Sequence, residues 1–119
     1  MSENNEIKIT SGNFEKEVIM SDIPVLIDFW AAWCAPCRML APIIGQLSDE
    51  YAGRVKIGKV NVDEEAELSG KFRIMSIPTV ILFKGGGIYA DKTGSGSEAR
   101  IIGVRSKNEY TTLLDRSLV

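Results

Sequence analysis

Residues 33–38 read Trp33-Cys34-Ala35-Pro36-Cys37-Arg38 and follow an apolar run typical of a strand. Cys34 and Cys37 are the only cysteines in the chain, and they are three positions apart. If a helix begins at Cys34, both sulfurs lie in its first turn, close enough to form a disulfide. The unpaired N–H groups and the dipole at a helix start favour a thiolate, which is the reactive form of cysteine. The spacing therefore predicts a redox site.

Two other uses of a cysteine pair are a structural disulfide and half of a zinc site. A zinc site needs about four nitrogen or sulfur ligands, and this chain has two cysteines and no histidine. In a reducing cytosol, a lone cysteine pair is more often catalytic or metal-binding than structural. The redox interpretation is therefore favoured, with no metal site.

Length, composition and charge describe an ordinary globular domain. The 119 residues, 45% of them apolar and 25% charged, suit one domain with its own core. The net charge is −2 and no basic stripe occurs, so neither nucleic acid nor an anionic membrane is an expected partner. The apolar run 25–33 is too short to span a bilayer, and the acidic residues 1–6 are unlike an export signal. We expect a cytoplasmic monomer.

Apolar patterning predicts five strands and four helices. Strands are predicted over residues 7–10, 25–30, 55–63, 79–83 and 100–104. Helices are predicted over residues 14–19, 34–51 and 64–72, and again after a capping box at residues 106–109. This alternating order implies an α/β fold, with a mixed sheet covered on both faces and its last two strands antiparallel.

Several blocks of the chain resemble the thioredoxin family over nearly the full length. Residues 28–42 resemble the active-site block of the family almost position by position. Residues 59–63 and 77–79 fall where the family has its buried lysine and its cis-proline loop, and residues 102–106 resemble its last strand and the turn after it. The resemblance implies the thioredoxin fold, a central mixed β-sheet of about five strands flanked by about four helices, in a single domain over residues 1–119.

Two features depart from the family pattern. The active-site turn is Ala35-Pro36, whereas the family usually has Gly-Pro. Alanine in place of glycine adds a methyl group and no charge. We expect a small change in redox potential and the same reaction class. The Gly/Ser-rich segment 85–97 is longer than the usual hairpin of the family, either as a surface insertion or because residues 88–90 lengthen the hairpin.

The resemblance implies a thiol–disulfide oxidoreductase that reduces the disulfides of client proteins and is recharged by a thioredoxin reductase. No bound cofactor is expected, since the redox group is the cysteine pair. Cys34, at the more exposed and more positive end of the helix, should attack the client disulfide, and Cys37 should resolve the mixed disulfide. Pro36 should stiffen the turn between them.

Asp28 and Lys59 are the expected proton-handling pair. Burial of Asp28 in an apolar strand should raise its pKa, and the family assigns this position proton exchange with the buried cysteine, here Cys37. Lys59 would lie beside Asp28 on the neighbouring strand and tune its carboxylate. The alternatives are a solvent-facing aspartate at a strand kink and an ordinary solvated lysine.

A docking surface is expected around Cys34. Most X–Pro bonds are trans, but the family has a cis proline here that packs against the cysteines. Trp33, Ile77, Pro78 and Gly103 would then form a flat, mostly apolar dock, with the backbone of Ile77 available to an extended substrate. The alternative for Trp33 is a core position.

Two other functions use the same fold. A thiol oxidase or isomerase usually implies export and a histidine or tyrosine beside the cysteines, and residues 33–38 contain neither. A non-catalytic partner subunit would not need both cysteines, Asp28 and Pro78. The reductase interpretation is therefore preferred.

Overall fold

The computed structural model describes residues 5–90 and 98–119. Within these residues the chain forms six strands: β1 Ile7–Lys8, β2 Val25–Trp30, β3 Lys56–Asn61, β4 Thr79–Lys84, β5 Gly87–Ile88 and β6 Arg100–Ile102. It also forms three α-helices and one π-helical turn: α1 Ala35–Glu50, α2 Ala66–Lys71, α3 Lys107–Ser117 and the turn Glu15–Ile19.

The six strands form one mixed sheet. β3 lies between β1 and β2 and is parallel to both, whereas β4 runs antiparallel to β2 on its other side. β5 and β6 both pair with the remaining edge of β4, at opposite ends of that strand. The expected mixed α/β sheet is confirmed, with β6 antiparallel to β4 as predicted.

Helices cover both faces of the sheet because alternate residues of each strand point to opposite sides. On one face, Leu26 of β2 packs with Leu40 and Ile44 of α1 and with Tyr110 and Leu114 of α3. On the other face, apolar residues of the strands pack with the π-helical turn and with α2: Ile27, Phe29, Phe14, Val18 and Leu68. This burial holds α1, and with it the cysteines at its start, against the sheet.

β5, which is not one of the five strands predicted from the sequence, lies at the start of the Gly/Ser-rich segment. Gly85 and Gly86 both have positive φ, at 68° and 89°, which is the backbone of a tight hairpin turn. Lys84 then pairs with Gly87, and Phe83 with Ile88. The described part of the segment therefore lengthens the hairpin, while residues 91–97 lie outside the described residues.

The elements differ from the sequence-based prediction in several places. β1, β3, β6 and α2 are each two or three residues shorter than predicted, and β4 is one residue longer. Residues 15–19 form a π-helical turn, with Met20 N–H donating to the carbonyl of Glu15 at 2.9 Å. α1 begins at Ala35, so Cys34 is its N-cap. The capping box at α3 does not form, because the Ser106 side chain makes no capping hydrogen bond and Glu109 N–H donates to the Ser106 carbonyl instead.

Gly58 of β3 packs closely against Ile9, the residue that follows the edge strand β1. A Cβ at this position would lie 2.7 Å from Cγ1 of Ile9, a side chain that is itself 1% exposed and cannot move aside. We expect Gly58→Ala to lower the free energy of unfolding by about 1–3 kcal/mol. Gly70→Ala in α2 is the matched control, since no atom lies within 4 Å of its Cβ. It should stabilise by roughly 0.5–1 kcal/mol. Urea titrations of both variants measure the difference, and equal midpoints would contradict the packing argument.

Candidate active site

The two cysteines form a disulfide at the start of α1. Cys34 has an extended backbone and caps the helix, and the Cα atoms of Cys34 and Cys37 are 5.2 Å apart. Cys37 N–H donates to Cys34 Sγ at 3.2 Å. Pro36 occupies the first turn, where its missing N–H costs no helical hydrogen bond. A thiolate at Cys34 would therefore receive a backbone N–H at the positive end of α1.

Cys34 lines a surface cleft of about 460 Å³. The two cysteines are equally buried, with Cys34 4% and Cys37 3% exposed. They differ in their position relative to the cleft, since Cys34 lines it and Cys37 does not. Its lining residues are Trp33, Cys34, Ala35, Pro36, Val62, Ile74, Met75, Ser76 and Ile77.

Trp33 forms one wall of this cleft and is 68% exposed, so it is not a core residue. Its Nε1–H donates to Asp63 Oδ2 at 2.9 Å. Sequence reasoning did not single out Asp63. Because β2 and β3 are parallel, the residues that follow them meet at one edge of the sheet, and this topology could have indicated the contact.

Ile77, which precedes Pro78, also lines the cleft. The peptide bond between these residues is cis, as the resemblance implied. The carbonyl oxygen of Ile77 lies 3.7 Å from Cys34 Sγ. Pro78 is buried behind the cleft, and its carbonyl accepts the N–H of Gly103 at 2.8 Å. Trp33 and Ile77 therefore face the cleft, while Pro78 and Gly103 support its wall.

Asp28 lies buried in β2, 1% exposed, and neither carboxylate oxygen has a hydrogen-bond partner among the described residues. Desolvation is the main cause that raises its pKa from 3.8 to about 7, with Lys59 lowering it and Glu6 raising it. Leu26, two residues earlier on the same face, packs against α1. The carboxyl group therefore faces the layer that contains the cysteine helix.

Lys59 is the direct neighbour of Asp28 on the adjacent strand, as predicted. Its Nζ lies 4.9 Å from the centroid of the Trp30 ring. The side chain lines a separate cavity of about 320 Å³ that also contains Glu6 and Trp30. Lys59 thus affects Asp28 through its charge and does not reach the cleft of Cys34.

Residues 5–90 and 98–119 contain no cluster of three or more His, Cys, Asp or Glu side chains that could hold a metal ion. None of the described helices has the length and apolar character that a membrane crossing requires.

The sequence of the chain is similar to the sequences of several known proteins. A sequence model described as "Thioredoxin" matches residues 5–106. The chain belongs to the thioredoxin family. A thioredoxin of Rickettsia felis is 43% identical over 110 residues, which cover 92% of this chain and 96% of that protein. A thioredoxin of Rickettsia bellii is 52% identical over 86 residues, covering 72% and 82%. "Thioredoxin 1" of Nostoc sp. is 48% identical over 79 residues, covering 66% and 74%.

Membership of the thioredoxin family confirms two predictions. The architecture is the thioredoxin fold, with six strands instead of five in the described residues because β5 forms. The chain is a thiol–disulfide oxidoreductase that reduces protein disulfides. The thioredoxin family also implies disulfide-containing substrates and, in general, a reductase.

Proposed function

We propose that Cys34 is the attacking thiol and Cys37 the resolving thiol in the reduction of protein disulfides. The observation that carries this assignment is that Cys34, and not Cys37, lines the cleft while Cys37 N–H donates to its sulfur. The Cys34 thiolate attacks one sulfur of the client disulfide and forms a mixed disulfide, releasing the other client sulfur as a thiolate. The Cys37 thiolate then attacks Cys34. The client leaves in its reduced form, with two thiols, and the protein is left oxidised, with a Cys34–Cys37 disulfide.

In this proposal Asp28 exchanges the proton of Cys37. A carboxyl group with a pKa of about 7 is close to half ionised at neutral pH, so it can both accept and return a proton. It lies on the face of the sheet that packs against α1. Lys59 is assigned a tuning role, since its charge lowers the pKa that burial has raised.

The walls of the cleft form the client dock in this proposal. Trp33 and Ile77 provide apolar contact beside Cys34. An extended client segment would pair with the backbone of Ile77, in the manner of an added strand. Pro78 and Gly103 hold this wall in place through the hydrogen bond between their main chains. Ala35 and Pro36 form the turn that separates the two cysteines.

We also propose the electron source, the oligomeric state and the compartment of the protein. Electrons would come from a thioredoxin reductase, and no bound cofactor would be required because the cysteine pair carries both electrons. The protein would act as a single domain over residues 1–119, as a monomer in the cytoplasm. A lone cysteine pair suits a redox role in such a reducing compartment.

A coupled assay tests the proposed function. With insulin as the client, the protein, a thioredoxin reductase and its electron donor should give continuous consumption of the donor. Cys34→Ser should bring the rate to that of the reductase alone. Equilibration with glutathione buffers then distinguishes a reductant from an oxidase, since a potential well above the cytosolic poise would favour the oxidase. Absence of turnover by the wild-type protein would contradict the proposal.

A further inference from the structure

A second cavity adjoins the cleft of Cys34. It has a volume of about 560 Å³ and shares the lining residues Met75 and Ser76 with the cleft, so the two cavities are neighbours on the surface. Met75, on the boundary, is 92% exposed. A client segment whose cysteine reaches Cys34 therefore has room to continue past Met75 into the second cavity.

Arg73 lines this second cavity in an unusual backbone conformation. Its φ is 54°, and it is the only described non-glycine residue with a positive φ. This region is uncommon for residues with a Cβ, and here it ends α2. Arg73 N–H donates to the Gly70 carbonyl at 3.1 Å and Ile74 N–H donates to the Ser69 carbonyl at 2.9 Å, the pattern of a helix C-terminal turn. The side chain is exposed and makes no hydrogen bond or ion pair with any described residue. The turn that ends α2 thus places at this cavity a positive charge that has no partner among the described residues.

The other cations of the cavity already have partners. Arg100 donates through Nη1 to the Phe72 carbonyl at 2.8 Å, and its Nη2 lies 3.4 Å from Glu98 Oε1. Lys71 Nζ lies 5.4 Å from the centroid of the Phe14 ring. Among the described residues, Arg73 is therefore the cation of this cavity that has no hydrogen-bond, ion-pair or ring partner for its side chain, in a protein whose net charge is −2.

We propose that the second cavity is a docking subsite for the client segment that flanks the target cysteine, and that Arg73 pairs there with an acidic side chain of that segment. The inference rests on the proposed function, because it places the client cysteine at Cys34. Charge complementarity and the position of the cavity next to the cleft support this occupant. The apolar side chain of Ile102, 50% exposed at the same cavity, offers contact to the neighbouring residues of the segment.

Matched peptides test the subsite. Three disulfide-bonded peptides would be identical except for two positions beside the cysteine, which hold glutamate, glutamine or lysine. The quantity measured is the ratio of kcat/KM for the glutamate peptide to that for the lysine peptide, at low salt. Arg73→Gln should lower this ratio about two- to five-fold, mainly through KM, as expected for an exposed ion pair. Arg73→Glu should lower it further, and added salt should reduce the ratio of the wild-type protein.

Lys16→Gln is the control, since it removes one positive charge from an exposed position that lines neither cavity. It should leave the ratio unchanged. An equal effect of Lys16→Gln and Arg73→Gln, or no effect of Arg73→Gln, would overturn the subsite. The glutamine peptide distinguishes the failure of the subsite from the failure of the proposed function. If the wild-type protein reduces the glutamine peptide and shows no preference between the glutamate and lysine peptides, only the subsite is refuted. If it reduces none of the three peptides, both proposals are refuted.

Discussion

Replacing Cys37 with serine should leave the protein covalently joined to its clients. Cys34 still lines the cleft and still attacks, but the group that resolves the mixed disulfide is gone. Turnover in the insulin assay should fall by about three orders of magnitude or more, as for other residues that act as one unit. Non-reducing electrophoresis with mass spectrometry should show a one-to-one adduct through Cys34 that disappears when dithiothreitol is added.

Cys34→Ser is the matched control for this experiment. It retains one cysteine, but that cysteine does not line the cleft, so it should give little adduct. A comparable adduct through Cys37 in the Cys34→Ser variant would reverse the two assignments. The result would also show that the cleft does not determine which sulfur a client meets.

Replacing Asp28 with asparagine should stabilise the oxidised protein at pH 8. The wild-type carboxylate is ionised there, although it is buried without a hydrogen-bond partner among the described residues. Because the pKa of Asp28 rises from 3.8 to about 7, ionising this carboxyl group costs about 4 kcal/mol more in the native state than in the unfolded state. We expect the variant to gain about 2–4 kcal/mol in the free energy of unfolding, measured by guanidinium titration.

The gain should depend on pH in a defined direction. Between about pH 4 and pH 7, the native wild-type protein holds a proton on Asp28 that the unfolded chain has released. Its free energy of unfolding should therefore fall as pH rises through this range, and the gain of the variant should vanish below pH 4. Asp22→Asn, at an exposed position, should show no such pH-dependent gain. A gain that is equal at pH 4 and pH 8 would mean that ionisation of Asp28 is not its cause.

The core of the site could be predicted from the sequence because its parts are local or strongly patterned. Two cysteines three positions apart after an apolar strand predict a helix start with both sulfurs in one turn. Asp28 inside that same strand predicts a buried carboxyl group. The cis bond before Pro78 could not be obtained this way, since local sequence favours trans, and only the family resemblance indicated it.

Other parts of the site depend on contacts between distant segments. The hydrogen bond from Trp33 to Asp63 joins two loops that follow parallel strands. The topology indicates that the loops are neighbours, but sequence patterning does not give which side chains meet. The positive φ of Arg73 could not be predicted, because that conformation is usually assigned to glycine or asparagine. The capping box at Ser106 has the expected residues, yet a main-chain hydrogen bond takes the place of the side-chain one.

The hydrogen bond between Gly103 and Pro78 has a consequence for the order in which the protein matures. The cysteines leave the ribosome well before the wall of the cleft, and that wall is complete only after β6 has been synthesised and paired with β4. A nascent or truncated chain that ends before Gly103 would carry both thiols without the hydrogen bond that holds Pro78. If the proposed dock is correct, reduction of protein disulfides would be acquired only when the sheet is complete.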